Sequence, residues 1–181
     1  MTVDDRMEPL IRPATSADLP RLGRLGALLV ETHHDFDPQR FLPTRDRTPA
    51  DYAGFMLGQL GDPDVAVLVA DDHGDVIGYA YAVVEGYDWM ALRGPAGVLH
   101  DIVVDPEYRG RGVGRQLLHA ALAFLQERGA PRVVLSTAER NAVAQRLFAS
   151  AGFRRTMIEM TSEMPRETTG ETTPHADGGT P

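Results

Sequence analysis

The chain contains no cysteine and a single tryptophan among its 181 residues. Without cysteine there can be no disulfide scaffold, no zinc–thiolate site and no cysteine nucleophile. Apolar runs long enough to cross a bilayer are also absent, as is a signal-peptide pattern at the N-terminus, so a cytoplasmic protein without membrane contact is expected. Basic charge is in short supply: Lys and Arg total 18 against 26 Asp and Glu, a net charge of −8. That balance argues against a broad nucleic-acid surface but leaves room for a local basic pocket, and it would favour a cationic substrate.

What is present is an ordinary globular composition, 43% hydrophobic and 24% charged, in a length suited to one domain. Leu10-Ile11-Arg12-Pro13 suggests a short first strand, after which Ser16 or Asp18 offers an N-cap. Leu19, Leu22, Leu25, Leu28 and Leu29 recur at helical spacing, predicting a helix over residues 17–32. Residues 31–38 then form a polar loop holding His33 and His34. It is open to three readings: a metal site, which adjacent histidines seldom form, a plain surface loop, or a wall of a substrate cleft.

Thr48-Pro49-Ala50-Asp51 is a helix start, with that helix running to about Leu60. Uninterrupted and β-branched runs predict paired strands over residues 65–70 and 76–84, joined by the turn at residues 71–75. Tyr87 and Trp89 follow, as edge packing or as cleft walls. A further strand is expected over residues 98–104, a helix from Val113 to before Gly129, a strand over residues 132–136, a helix over residues 141–150 and a last strand over residues 153–160. The pattern gives an α/β (α+β) fold, a mixed central sheet of roughly six to seven strands with about four helices. A single domain over residues 1–161 is followed by a polar, aperiodic tail over residues 162–181, expected to be disordered.

The most informative stretch joins the strand at Val103-Val104 to the helix at Val113. Arg109-Gly110-Arg111-Gly112-Val113-Gly114 places few β-carbons in a turn that opens a helix. Backbone N–H groups can there approach an anion, with the positive end of the helix dipole behind them. Two arginines add charge matched to phosphate. The nucleotide P-loop would need Lys and Ser/Thr after its last glycine, where Arg115 and Gln116 stand. The dinucleotide pattern needs a different glycine spacing.

The motif resembles the Arg/Gln-x-x-Gly-x-Gly/Ala signature of the GCN5-related N-acetyltransferases. The similarity extends through Asp101–Tyr108, through Asn141 with Leu147-Phe148 and Gly152-Phe153, and back to Leu10–Ala14, covering roughly residues 10–160. The resemblance implies that acetyl-CoA is the donor. Ile102, Val103 and Val104 would lie along its pantetheine arm, with an amide near Val104 polarising the thioester carbonyl. Arg109, Gly110, Arg111, Gly112, Val113 and Gly114 would hold its pyrophosphate, and Asn141 would contact its arm, serve as a helix N-cap, or do both. No metal is implied. The acceptor would be a primary amine on a small molecule or peptide, attacking the thioester directly, and a homodimer is expected by the same resemblance.

The chain departs from the family where proton transfer is often placed. Phe148 stands where many members carry a tyrosine, and Val98 where many carry a glutamate. His100 and Asp101 are the remaining catalytic candidates. An imidazole titrates near neutrality and suits a base, although His100 could equally be a packed strand residue. Strict alternation would send the two side chains to opposite faces, leaving only one in the cleft. These departures also admit a second reading, a catalytically degenerate acyl-CoA-binding sensor or scaffold.

Overall fold

The computed structural model describes residues 8–164. Five strands form one sheet in chain order: β1 (Leu10–Pro13), β2 (Val65–Asp72), β3 (Asp75–Glu85), β4 (Ala96–Val104) and β5 (Val133–Leu135). The first three pairings are antiparallel and β4–β5 is parallel. Four helices flank it: α1 (Leu19–Phe36), α2 (Thr48–Leu57), α3 (Val113–Glu127) and α4 (Ala142–Ser150). The mixed α/β architecture is as expected, with five strands in place of six or seven.

Each face of the sheet carries its own core. On one, Val113, Leu117, Leu118, Ala121 and Leu125 of α3 pack with Phe148 of α4 against Ala70, Ile77, Ala80, Ala82 and Leu99. On the other, Leu22 and Leu25 of α1 and Met56 of α2 pack against Val67, Val69, Tyr79, Tyr81 and Val103. Gly23 and Gly26, one turn apart on α1, let α2 come close. A β-carbon on Gly23 would lie 2.2 Å from the Pro49 carbonyl oxygen, and one on Gly26 would lie 2.0 Å from the Tyr52 ring.

Two expectations need correcting. Helix α1 continues through His33 and His34 to Phe36, so the histidines sit in its last turn. No glycine or proline stands between Gly26 and Pro38, and cationic or polar side chains at a helix C-terminus suit its dipole. The expected strand over residues 153–160 does not form. Residues 153–164 carry no helix or strand, and Met157, Ile158 and Met160 are exposed. Alternating apolar residues supply a face but no partner, and the three-residue β5 makes no ladder on its outer side. The tail expected over residues 162–181 begins in this segment, and from residue 165 onward it lies outside the described residues.

Candidate active site

The site begins where β4 and β5 part. Their ladder covers only Gly97–Leu99 against Val133–Leu135. The amide of Gly97 bonds the Arg132 carbonyl on the β5 side at 2.9 Å, while the amide of Asp105 bonds Ile77 on the β3 side at 2.9 Å. Main-chain groups alternate in direction along an antiparallel pairing. Val103, paired with Tyr79, therefore turns its amide and carbonyl to β3, and Ile102 and Val104 turn theirs into the widening gap. The Val104 carbonyl accepts from Nε of Arg109 at 3.0 Å.

At one end of that gap lies the glycine turn. Gly110 and Gly112 have φ of +76° and +85°, a region that an L side chain occupies only under strain. Among the described residues, the amides of Gly110, Arg111, Gly112, Val113 and Gly114 meet no protein acceptor. Five successive free donors at the start of α3 make a cradle for an anion. Arg111 reaches the Glu107 carbonyl at 3.1 Å and stacks on the Tyr108 ring. Each arginine thus spends one N–H on a carbonyl that precedes the turn and keeps others for a ligand.

At the other end is a cavity of about 460 Å³. Its walls combine Leu99, His100, Asp101 and Ile102 of β4 with His33 of α1, Arg40, Phe41 and Leu42 of the following loop, and Asn141 and Phe148 beyond β5. Asn141 caps α4, its Oδ1 accepting from the Ala144 amide at 3.1 Å. Phe148 is buried and packs edge-on against Phe153.

His100 and Asp101 share a face, contrary to simple alternation. Tyr81 pairs with Asp101 and Ala82 with Leu99, so His100 is the extra residue of a β-bulge. The shift is visible in the cores: Leu99 and Val103, four residues apart, lie on opposite faces of the sheet. The His100 ring stacks on Tyr81, with centroids 5.1 Å apart, and its Nε2 lies 3.0 Å from Oε1 of Glu85. Glu85 is also bound by Arg93 at 2.5 Å.

Asp101 is held differently. The Tyr52 hydroxyl donates to its Oδ2, and the Tyr79 hydroxyl lies 3.2 Å from the same oxygen and 2.8 Å from that of Tyr52. Burial raises the Asp101 carboxyl above the usual range, and the two hydroxyls oppose that rise. Burial and the charge of Asp101 push both tyrosines well up, so they stay neutral donors. The sequence reading singled out neither Tyr52 nor a His100–Glu85 pair. Tyr52 follows the clear helix start at Thr48-Pro49, but its partner is 49 positions away.

Of the two histidines in the last turn of α1, His33 lines the cavity and packs edge-on against Phe41, while Nδ1 of His34 lies 3.0 Å from the Phe41 carbonyl oxygen. Among the described residues no three His, Asp or Glu side chains form a metal-holding group. Tyr87 and Trp89 stack on each other in the β3–β4 loop, both mostly exposed and outside the cavity walls. No helix among the described residues is long and apolar enough to cross a membrane.

Comparison with known proteins identifies the family and the fold. Residues 29–153 match the model of the acetyltransferase (GNAT) family, and the chain belongs to that family. An uncharacterized N-acetyltransferase from Archaeoglobus fulgidus is 31% identical across 80% of this chain and 92% of its own length. A mycothiol acetyltransferase from Thermobispora bispora is 38% identical over 97 residues, 51% of this chain; the match spans about a third (31%) of that relative. Among solved structures, a transcriptional regulator from Bacillus halodurans shares the fold with a TM-score of 0.68 at 21% identity, over 86% of this chain and 99% of the other. An aminoglycoside N-acetyltransferase in complex with CoA does so with a TM-score of 0.66 at 21% identity, over 90% and 99%.

Proposed function

We propose that this member of the GNAT family moves an acetyl group from acetyl-CoA to a primary amine. The observation that carries the reading is the continuity of the site. Free turn amides stand at one end of the β4–β5 gap, and His100 and Asp101 stand in the cavity at the other. The donor set suits the cofactor, since backbone N–H groups and guanidinium forks pair well with phosphate oxygens.

In this reading the amides of residues 110–114, with Arg109 and Arg111, hold the pyrophosphate. Ile102 and Val104 offer main-chain groups to the pantetheine arm, and Asn141 borders the same channel. Val103, whose main chain pairs with β3, contributes from its place in the strand. Acetyl-CoA supplies an acyl group already activated as a thioester. The protein's part is then to orient the amine, remove its proton and polarise the carbonyl.

Asp101 provides a half-buried negative wall that draws the acceptor's ammonium form, held in place by Tyr52 and Tyr79. The bound ammonium first gives up one proton to solvent; His100 takes a second as the neutral amine nitrogen attacks, with Glu85 stabilising the charged ring. Nitrogen gains the acyl carbon, the carbon–sulfur bond breaks, and solvent protonates the leaving thiolate. This route needs no hydroxyl at Phe148 and no carboxylate at Val98.

The discriminating experiment is CoA release from acetyl-CoA across a panel of primary amines, beside calorimetric acetyl-CoA binding. Turnover of at least one amine supports the enzyme. Tight binding with no turnover on any of them supports the sensor or scaffold reading instead.

A further inference from the structure

The cavity wall contains one cation that the reaction does not require. Arg40 lies in the loop after α1, lines the cavity, and stacks over the Phe41 ring with its guanidinium carbon 5.0 Å from the centroid. The loop presenting it is well fixed: Oδ1 of Asp37 accepts from the amides of Gln39 and Arg40 at 3.1 and 3.3 Å. The ring contacts and hydrogen bond from α1 to Phe41 hold the other side. Arg40 already grips a carboxylate. Its Nε and a terminal nitrogen reach both oxygens of Glu159, the second at 3.1 Å, in the fork arrangement that recognises a planar carboxylate.

Glu159 belongs to the segment without helix or strand, and both partners of the pair are substantially exposed. Exposed ion pairs contribute little, so such a carboxylate is easily exchanged for another. From this geometry we propose that Arg40 is a carboxylate subsite of the acceptor pocket, with Glu159 as its resident stand-in. The acceptor is then a primary amine that also bears a carboxylate. Its ammonium end is drawn toward Asp101 and its anionic end to Arg40. Glu159 covers the guanidinium until the acceptor displaces it. The inference rests on the acetyltransferase reading for the amine end, and its anionic end can be tested apart from turnover.

The test compares phenylalanine, β-alanine and γ-aminobutyrate, each beside its carboxamide, as acceptors in the CoA-release assay. Calorimetric titration of the same compounds into the CoA-loaded protein runs in parallel. At least one free acid should outperform its carboxamide by about tenfold in kcat/KM and bind more tightly. Arg40→Ala should remove that preference by weakening the acid alone. Arg40→Lys should restore part of it, and Glu159→Gln should tighten the acid several-fold. Equal use and equal binding of every acid and its amide by the wild-type protein would overturn the proposal, as would an Arg40→Ala loss shared equally by both. Arg40-dependent binding of an acid without CoA release from any amine would instead support the subsite and refute acetyl transfer.

Discussion

The ring of Tyr52 occupies the space that a β-carbon on Gly26 would need, 2.0 Å from its Cδ1 position. Through that contact a small residue in α1 fixes the hydroxyl that holds Asp101. Gly26→Ala should therefore displace Tyr52 and disturb the site from a distance. Tyr52→Phe removes the hydroxyl without the clash. The lost donor lets the Asp101 carboxyl rise further, so the acidic limb of kcat/KM should move to higher pH in both variants. An unmoved limb in Tyr52→Phe would remove Asp101 from the mechanism.

Asp101→Asn should separate stability from activity. Burial raises the native carboxyl's pKa, so the folded state binds more protons than the unfolded state between the unfolded and folded values. Stability then falls as pH rises through that window, and the full cost is present above the folded value. The neutral amide avoids it while still accepting from a tyrosine hydroxyl. Thermal melts should show Asp101→Asn above wild type at neutral pH, with kcat/KM reduced at least about a hundredfold if the charge serves catalysis.

Asp18 works in the opposite sense. Its carboxylate accepts from the Arg12 guanidinium at 2.9 Å and from the amide and hydroxyl of Thr15 at 2.7 and 3.0 Å. The Arg12 hydrogen bonds are the main reason its pKa falls from 3.8 to about 2. The stabilisation, about 2 kcal/mol, is complete above the unfolded value and is lost as pH falls through the folded one. Urea unfolding at neutral pH should show Asp18→Asn less stable by about that amount, with the gap closing toward pH of about 2.

Nothing lies within 4 Å of the β-carbon position on Gly112, whose φ is +85°. An alanine there would suffer backbone strain of about 1–2 kcal/mol rather than a clash. Relief of that strain would turn the neighbouring amides out of their common direction. Gly112→Ala should raise the KM for acetyl-CoA by about tenfold with little change in the amine's own binding. Initial-rate kinetics with each substrate varied in turn distinguish this from general damage.

His100 and Glu85 should behave as a pair. His100→Gln should lower kcat/KM by about 100-fold or more, while Glu85→Gln, which leaves the imidazole without its carboxylate, should have a smaller effect in the same direction. Full activity of His100→Gln at every pH would leave His100 as a stacking partner of Tyr81 and nothing more.

Much of the molecule is legible because its determinants are local. The Arg109–Gly114 turn needs positive φ at fixed positions, and glycine is the residue that supplies it, so the anion cradle can be read from the letters alone. Helices with a sustained apolar stripe and strands with β-branched runs were equally plain, as was Asn141 as an N-cap. Features that depend on a distant partner were not. The bulge that brings His100 beside Asp101 depends on the register against β3, and register is a property of two strands. The parting of β4 from β5 depends on the length of β5, which left residues 153–164 outside the sheet despite their alternation. Tyr52 reached Asp101, and Glu159 reached Arg40, across 49 and 119 residues. The sequence by itself determined where a phosphate could be held, because backbone geometry is a short-range matter. Only the tertiary structure decided which side chains line the cavity together, because charge and hydrogen-bond partners are set by packing between elements far apart in the chain.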